Sequence, residues 1–219
     1  MVEAQYVVST MKVVDTLAEQ EVLEDILEER KPPIPEEAAG LHYLLYTPFR
    51  YETLGLHGSR FRAIGDPGVF YGAERIKTAA AEKGYWRWRF LQDSSGLDRL
   101  PPAQFTAFSV ALSGNMIDVR RSPFSKDAAL WTHPSNYGPA QSFGRIARKA
   151  AASAILYQSV RDPEPHCCCA VLTPKAFASK EPEADMQAWT FTLLPSEAVW
   201  QQQGGETFAF KTAIWSSTE

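Results

Sequence analysis

The sequence predicts an α+β fold, a mixed-sheet core with helices packed around it, preceded by an N-terminal helical extension. Three observations carry that prediction. Strand-like and helix-like patterns succeed one another without the regular alternation that a doubly wound sheet requires. A strong helix signal stands alone within residues 1–40 and is cut off by proline. Of 219 residues, 45% are hydrophobic and 22% charged, a globular balance that excludes wholesale disorder.

The elements follow in chain order. Thr16 and Glu19 match a capping box, and Val22, Leu23, Ile26 and Leu27 recur at helical spacing, so a helix is expected from Leu17 to Arg30. Lys31-Pro32-Pro33-Ile34-Pro35 stops it, because proline lacks an amide and restricts the residue before it. This stretch serves either as the boundary between an extension (1–40) and a main domain (41–219), or as a stiff loop within one domain. An apolar run, Leu41 to Tyr46, comes next, followed by Thr47-Pro48-Phe49-Arg50-Tyr51 and a loop rich in glycine and arginine. Val69-Phe70-Tyr71 reads as a short strand and residues 73–83 as a helix. Gln104 to Leu112 alternates like a strand, with Phe108, Val110 and Leu112 on one face. A second helix is expected from Pro139 to Ala154, then strands at Ile155–Gln158, Cys167–Leu172 and Gln187–Leu194. A last hairpin turns at Gly204-Gly205 and ends in Thr207 to Trp215.

Charge and cysteine usage narrow the function classes. Lys plus Arg number 22 against 26 Asp plus Glu, a net charge of −4. That balance argues against a dedicated nucleic-acid binder or a polybasic membrane anchor. The three cysteines stand together as Cys167, Cys168 and Cys169, where strand geometry lets at most two share a face. They suit a buried strand in a reducing compartment better than a zinc site or a disulfide framework. The four histidines show no ligand spacing, so no metal is expected. The start, MVEAQYVVST, lacks a basic n-region and a long apolar stretch, and no window approaches the roughly 18 apolar residues of a membrane span. The expectation is a cytoplasmic protein without a membrane partner.

Familiar catalytic signatures are missing: there is no phosphate-binding P-loop, no H-E-x-x-H and no G-x-S-x-G. What remains is a set of polar residues attached to structural punctuation. Arg60 follows Gly58 in a loop shared with Arg62, Tyr71 ends a strand, Glu82 lies in an alanine-rich helix, and Ser159 ends another strand. With Glu74, Thr78, Ala81 and Tyr85, Glu82 falls along one helix face, where a carboxylate is costly unless paired or used. Each residue alone also has an ordinary explanation. Glu82 could pair with Lys77 or Lys83 in solvent, Arg60 could be a loop residue, Tyr71 a core residue and Ser159 a strand-end cap.

Taken together, the segments GSRFRAIGDPGVFYGAERIKTAAAE (58–82) and NYGPAQSFGRIARKAAASAILYQSVRD (136–162) resemble the RES-domain family, named for its arginine, glutamate and serine. The second segment carries the family's Y-x-S-V-R-D ending as Tyr157, Ser159, Val160, Arg161 and Asp162. The resemblance covers residues 41–177. Matched residue by residue, it assigns the catalytic set as Arg60, Tyr71, Glu82 and Ser159. It places Arg50, Arg60, Arg62, Tyr71, Tyr137 and Arg161 against NAD+. The loop from Arg60 to Tyr71 is one residue longer than the usual pattern, and Phe61-Arg62 stands where Trp-Asn is common. Those departures bring Arg50 and Arg62 forward as sharers of the arginine's role.

The resemblance implies an ADP-ribosyltransferase-like fold and an activity that consumes NAD+ as substrate. It further implies a toxin of a bacterial toxin–antitoxin pair, held inactive by an Xre-like antitoxin. Family members either break NAD+ down with phosphate or water, or resemble mono-ADP-ribosyltransferases that modify a protein target. The residue types suit such chemistry. Cleaving the nicotinamide–ribose bond builds positive charge on the ribose, which a carboxylate stabilises. Arginine supplies a fork for pyrophosphate, tyrosine an aromatic face and serine a small orienting hydroxyl. A non-catalytic interaction protein that keeps the fold is the alternative, and direct nucleic-acid binding is not expected.

Overall fold

The computed structural model describes residues 1–4, 13–51, 58–164 and 166–216. Residues 5–10 of the start MVEAQYVVST, and His57, lie outside them. Helix α1 (Leu17–Arg30) forms over its expected bounds. Thr16 Oγ1 accepts from the Glu19 amide at 3.2 Å, and the Glu19 carboxylate accepts from the Asp15 amide at 2.9 Å. Its Val22, Ile26 and Leu27 remain exposed, while Gln20 is buried. The apolar run beginning at Leu41 becomes helix α2 (Tyr43–Arg50), capped by His42 Nδ1 accepting from the Leu44 amide. Arg50 ties α2 back to α1 and the proline segment, donating from Nη1 to Glu28 at 2.7 Å and from Nε to the Pro32 carbonyl at 2.5 Å.

The strands form two sheets, of which the first is mixed. The four-stranded sheet runs in the order β2 (Phe70–Ala73), β6 (Cys167–Val171), β5 (Ala154–Gln158), β4 (Met116–Asp118), and only its β4–β5 pair is parallel. The five-stranded sheet is antiparallel throughout, in the order β1 (Val2–Glu3), β3 (Ala103–Ala107), β7 (Gln187–Leu193), β8 (Glu197–Gln202), β9 (Thr207–Lys211). Four further α-helices are α3 (Ile76–Asp93), α4 (Ala128–Trp131), α5 (Gly138–Lys149) and α6 (Ala213–Ser216), and three short 3-10 turns lie at Glu36–Ala38, Phe124–Asp127 and Pro174–Ala176. No helix among the described residues is long and apolar enough to cross a membrane.

Register decides which face of the first sheet carries the candidate residues. Tyr71 pairs with Ala170 and Ala170 with Ile155; Ala73 pairs with Cys168 and Cys168 with Tyr157. Cross-strand partners share a face, so Tyr71, Tyr157 and Cys168 lie together, over a core built with Phe61, Phe143 and Ala147. The other face sets Phe70 and Val171 against Leu45, Ala176 and Phe177. A third core joins α3, through Ala80, Ala81, Tyr85 and Trp88, to Phe105, Trp189, Trp200 and Trp215 of the second sheet and α6.

Four elements depart markedly from their expected bounds; the last hairpin arm, expected over Thr207 to Trp215, ends as β9 at Lys211, and α6 follows it. Helix α3 continues to Asp93, ten residues beyond the expected end at Lys83, because Tyr85 and Trp88 bury against Trp215. Gly84 makes this approach possible, since a Cβ there would meet the Trp215 ring at 3.0 Å. Helix α5 stops at Lys149 because Ala151 takes a left-handed conformation, φ 52°, that turns the chain toward β5. Strand β3 ends at Ala107; Phe108, Val110 and Leu112 continue as a loop that still packs as one group beside Phe70 and Phe177.

Candidate active site

Helix α3 places Thr78, Glu82 and Tyr85 along one face by spacing alone. Each takes hold of one residue in the segment Ser159-Val160-Arg161-Asp162 that leaves β5. Thr78 Oγ1 donates to Asp162 Oδ2 at 2.6 Å, and Ser159 Oγ donates to Glu82 Oε1 at 2.6 Å. The Arg161 guanidinium lies 3.5 Å from the Tyr85 ring centroid. Ser159 Oγ also accepts from the amides of Arg161 and Asp162, at 3.3 and 3.1 Å, so the hydroxyl organises its own turn while it orients the glutamate. Glu74, expected on this face, precedes the helix and donates its amide to the Cys167 carbonyl.

Glu82 is half-buried, and its two oxygens differ. Oε1 accepts from Ser159 and, at 3.3 Å, from the Val160 amide. Oε2 has no hydrogen-bond partner among the described residues. The carboxylate is therefore held by one edge and open at the other.

A second group of interactions holds the loop that carries Tyr137. Arg60 is buried, with Nη1 donating to the carbonyls of Trp131 at 2.9 Å and His133 at 2.8 Å. Its guanidinium sits 4.8 Å from the Tyr137 ring centroid and 6.0 Å from that of Tyr157. Arg161, also buried, donates from Nη2 to the Pro134 carbonyl. Two arginines from distant parts of the chain thus grip the carbonyls of residues 131–134. Tyr71 closes the other side: its hydroxyl is 2.8 Å from Ser59 Oγ and accepts from the Phe61 amide at 3.0 Å. Although Tyr71 is 36% exposed as a residue, its hydroxyl end is enclosed, and that burial raises its pKa. Burial, with Cys168 and Glu82 nearby, pushes the Tyr157 phenol well above its ordinary range. Burial raises the Cys168 thiol likewise, which suits a packing residue rather than a nucleophile.

Among the expected NAD+-contacting residues, the structure gathers Arg60, Tyr137 and Arg161 around one loop and holds Tyr71 beside Phe61. Arg50 and Arg62 are engaged elsewhere. Arg50 bonds Glu28 and Pro32, whereas Arg62 donates to the carbonyls of Asp66 at 3.1 Å and Tyr51 at 2.7 Å. The roles of Thr78 and Asp162, and of the carbonyls at 131, 133 and 134, were not legible beforehand. Thr78 carried a signal in its spacing from Glu82; backbone carbonyls carry none.

A cleft of about 800 Å³ opens over the opposite face of the first sheet, lined by Phe70, Leu112, Met116, Leu156 and Cys169. Tyr71 reaches it, but Glu82, Ser159 and Arg60 do not. We assign the candidate chemistry to the Glu82 cluster, because there, alone among the described residues, an open carboxylate, an orienting hydroxyl and buried cations converge. Among the described residues no group of three or more His, Cys, Asp or Glu is placed to hold a metal ion.

No curated protein matches the chain. The family model for the RES domain matches residues 34–194, more than half of the chain, and that span contains every residue of the Glu82 cluster. Arg60, Glu82 and Ser159, the last two hydrogen-bonded to each other, all fall within the matched span, and the chain belongs to the RES domain family.

Proposed function

We propose that this chain cleaves the nicotinamide–ribose bond of NAD+, with Glu82 as the catalytic carboxylate. The observation that carries the reading is the asymmetric Glu82: Oε1 is fixed by Ser159 and Val160, and Oε2 is left for a ligand. When the bond to C1′ breaks, its electron pair leaves with nicotinamide, whose ring becomes neutral, and positive charge develops on the ribose. A carboxylate oriented before the reaction stabilises that charge without reorganising at the moment of cleavage. Nicotinamide leaves as a neutral base, so no second acid is required.

The other residues bind and orient. Arg60 keeps Nε and Nη2 outside its bonds to the loop, and these donors suit a pyrophosphate oxygen. Tyr137, stacked on Arg60, offers an aromatic face, and Tyr71 steadies the backbone on which Arg60 stands. The new bond at C1′ is made by phosphate, by water or by a protein side chain, and the acceptor's proton leaves to solvent. The part of the proposal that makes this a bacterial toxin with an Xre-like antitoxin rests on the family match.

Incubating the protein with NAD+, with and without phosphate and with bacterial lysate, tests the reading and separates the acceptors. Nicotinamide release with a labelled protein band identifies an ADP-ribosyltransferase. Release with free ADP-ribose or its phosphate identifies a glycohydrolase or phosphorylase. No release under any condition contradicts the reading and favours an interaction protein that retains the fold.

A further inference from the structure

The family match begins after α1, and that helix carries two parallel rows on its exposed side. Ala18, Val22 and Ile26 recur every four residues, and Glu21, Asp25 and Glu29 recur at the same interval beside them. All six are exposed, Val22 at 58% and Ile26 at 49%. Glu21, Asp25 and Glu29 pair with no cation among the described residues. The opposite side of the helix turns inward at Gln20. Arg50, bonded to Glu28 and the Pro32 carbonyl, holds the end of the helix to α2, and Pro32, Pro33 and Pro35 stiffen the connection. The two rows are therefore presented to solvent on a fixed support.

Charge decides which occupant fits. A second copy would bring the acidic row toward its own duplicate, with Arg30 as the helix's one cation to oppose it. A helix whose apolar row is flanked by Lys or Arg would cover Val22 and Ile26 and pair with all three carboxylates at once. We propose that α1 docks a basic amphipathic helix of a partner protein, with Ala18, Val22 and Ile26 as the apolar seam and Glu21, Asp25 and Glu29 as its charge partners. This surface does not depend on the chemistry at Glu82.

The full chain is titrated, by fluorescence anisotropy, with a labelled synthetic helix carrying a leucine row flanked by lysines, and with the same helix carrying glutamate for lysine. The lysine helix binds saturably and more weakly as salt rises, and the glutamate helix does not bind. Val22→Ser/Ile26→Ser and Glu21→Lys/Asp25→Lys/Glu29→Lys each weaken binding about tenfold or more, with the melting temperature preserved. Equal binding of the two helices, or equal binding by the native chain and both variants, overturns the proposal. So does a stable dimer in sedimentation that these variants dissociate, since a second copy would then be the occupant.

Discussion

Glu82 and Ser159, 77 residues apart in sequence, are joined by a 2.6 Å hydrogen bond between the middle of α3 and the end of β5. One helical turn away, Thr78 and Asp162 form a second bond of the same length between the same two segments. These two rungs, with Arg161 stacked on Tyr85, fasten the Ser159–Asp162 turn to the helix and fix where the glutamate points.

Ser159→Ala removes the donor to Glu82 and the acceptor for two backbone amides. Nicotinamide release is expected to fall about 100-fold, as for loss of one preorganised polar contact. Stability should drop by about 1–3 kcal/mol, the usual cost of leaving buried polar groups unpaired. Nicotinamide assay and urea denaturation of the same preparation check both.

Thr78→Val keeps the shape of a fully buried side chain and deletes its bond to Asp162. The Asp162 carboxylate keeps the Glu164 amide as a partner but loses its shortest bond. A loss of about 1–3 kcal/mol is expected, with Thr78→Ser retaining most of the native value. Denaturant midpoints of the three proteins decide it.

Arg60→Met strips the carbonyls of Trp131 and His133 of their donor, and Arg161→Met does the same for Pro134. Each should cost about 3 kcal/mol, and the loop bearing Tyr137 should become more susceptible to proteolysis. Lysine should not rescue either, because it cannot reproduce a planar fork stacked on tyrosine. Limited proteolysis with mass mapping of the first cut is the check.

Alkaline pH should destabilise the fold through Tyr157. Its phenol ionises near pH 10 when unfolded and only well above that when folded. Above pH 10 the unfolded chain gives up a proton that the native chain keeps, so stability is complete below that pH and declines as pH rises past it. Tyr71 is shifted the same way and adds to the slope. Unfolding free energy measured from pH 8 to 11 should fall more steeply for the native chain than for Tyr157→Phe.

Local signals were legible where local chemistry decides the outcome. The Thr16–Glu19 capping pair and the prolines after Arg30 bounded α1, and β5, β6 and β7 lie within a residue of their expected ends. The end of α3 was hidden because its last turns are held by Trp215, more than a hundred residues away, and not by propensity. The halt of α5 within an alanine run was hidden for a similar reason: Ala151 adopts positive φ to meet β5, and alanine gives no warning of that. At the site, the residue types were readable, but not the division of labour. Arg60 and Arg161 both read as ligand-binding cations, yet each gives a nitrogen to backbone carbonyls that leave no mark in the sequence.

The most direct test of the central claim compares nicotinamide release from NAD+ by the native chain and by Glu82→Gln. The amide can still accept from Ser159 at its oxygen, so circular dichroism and melting temperature should match the native values. Release by the native chain, reduced about 1000-fold or more in the variant, is the predicted result for a carboxylate that stabilises developing charge. Native turnover retained by Glu82→Gln, or no release by either protein, would contradict the assignment.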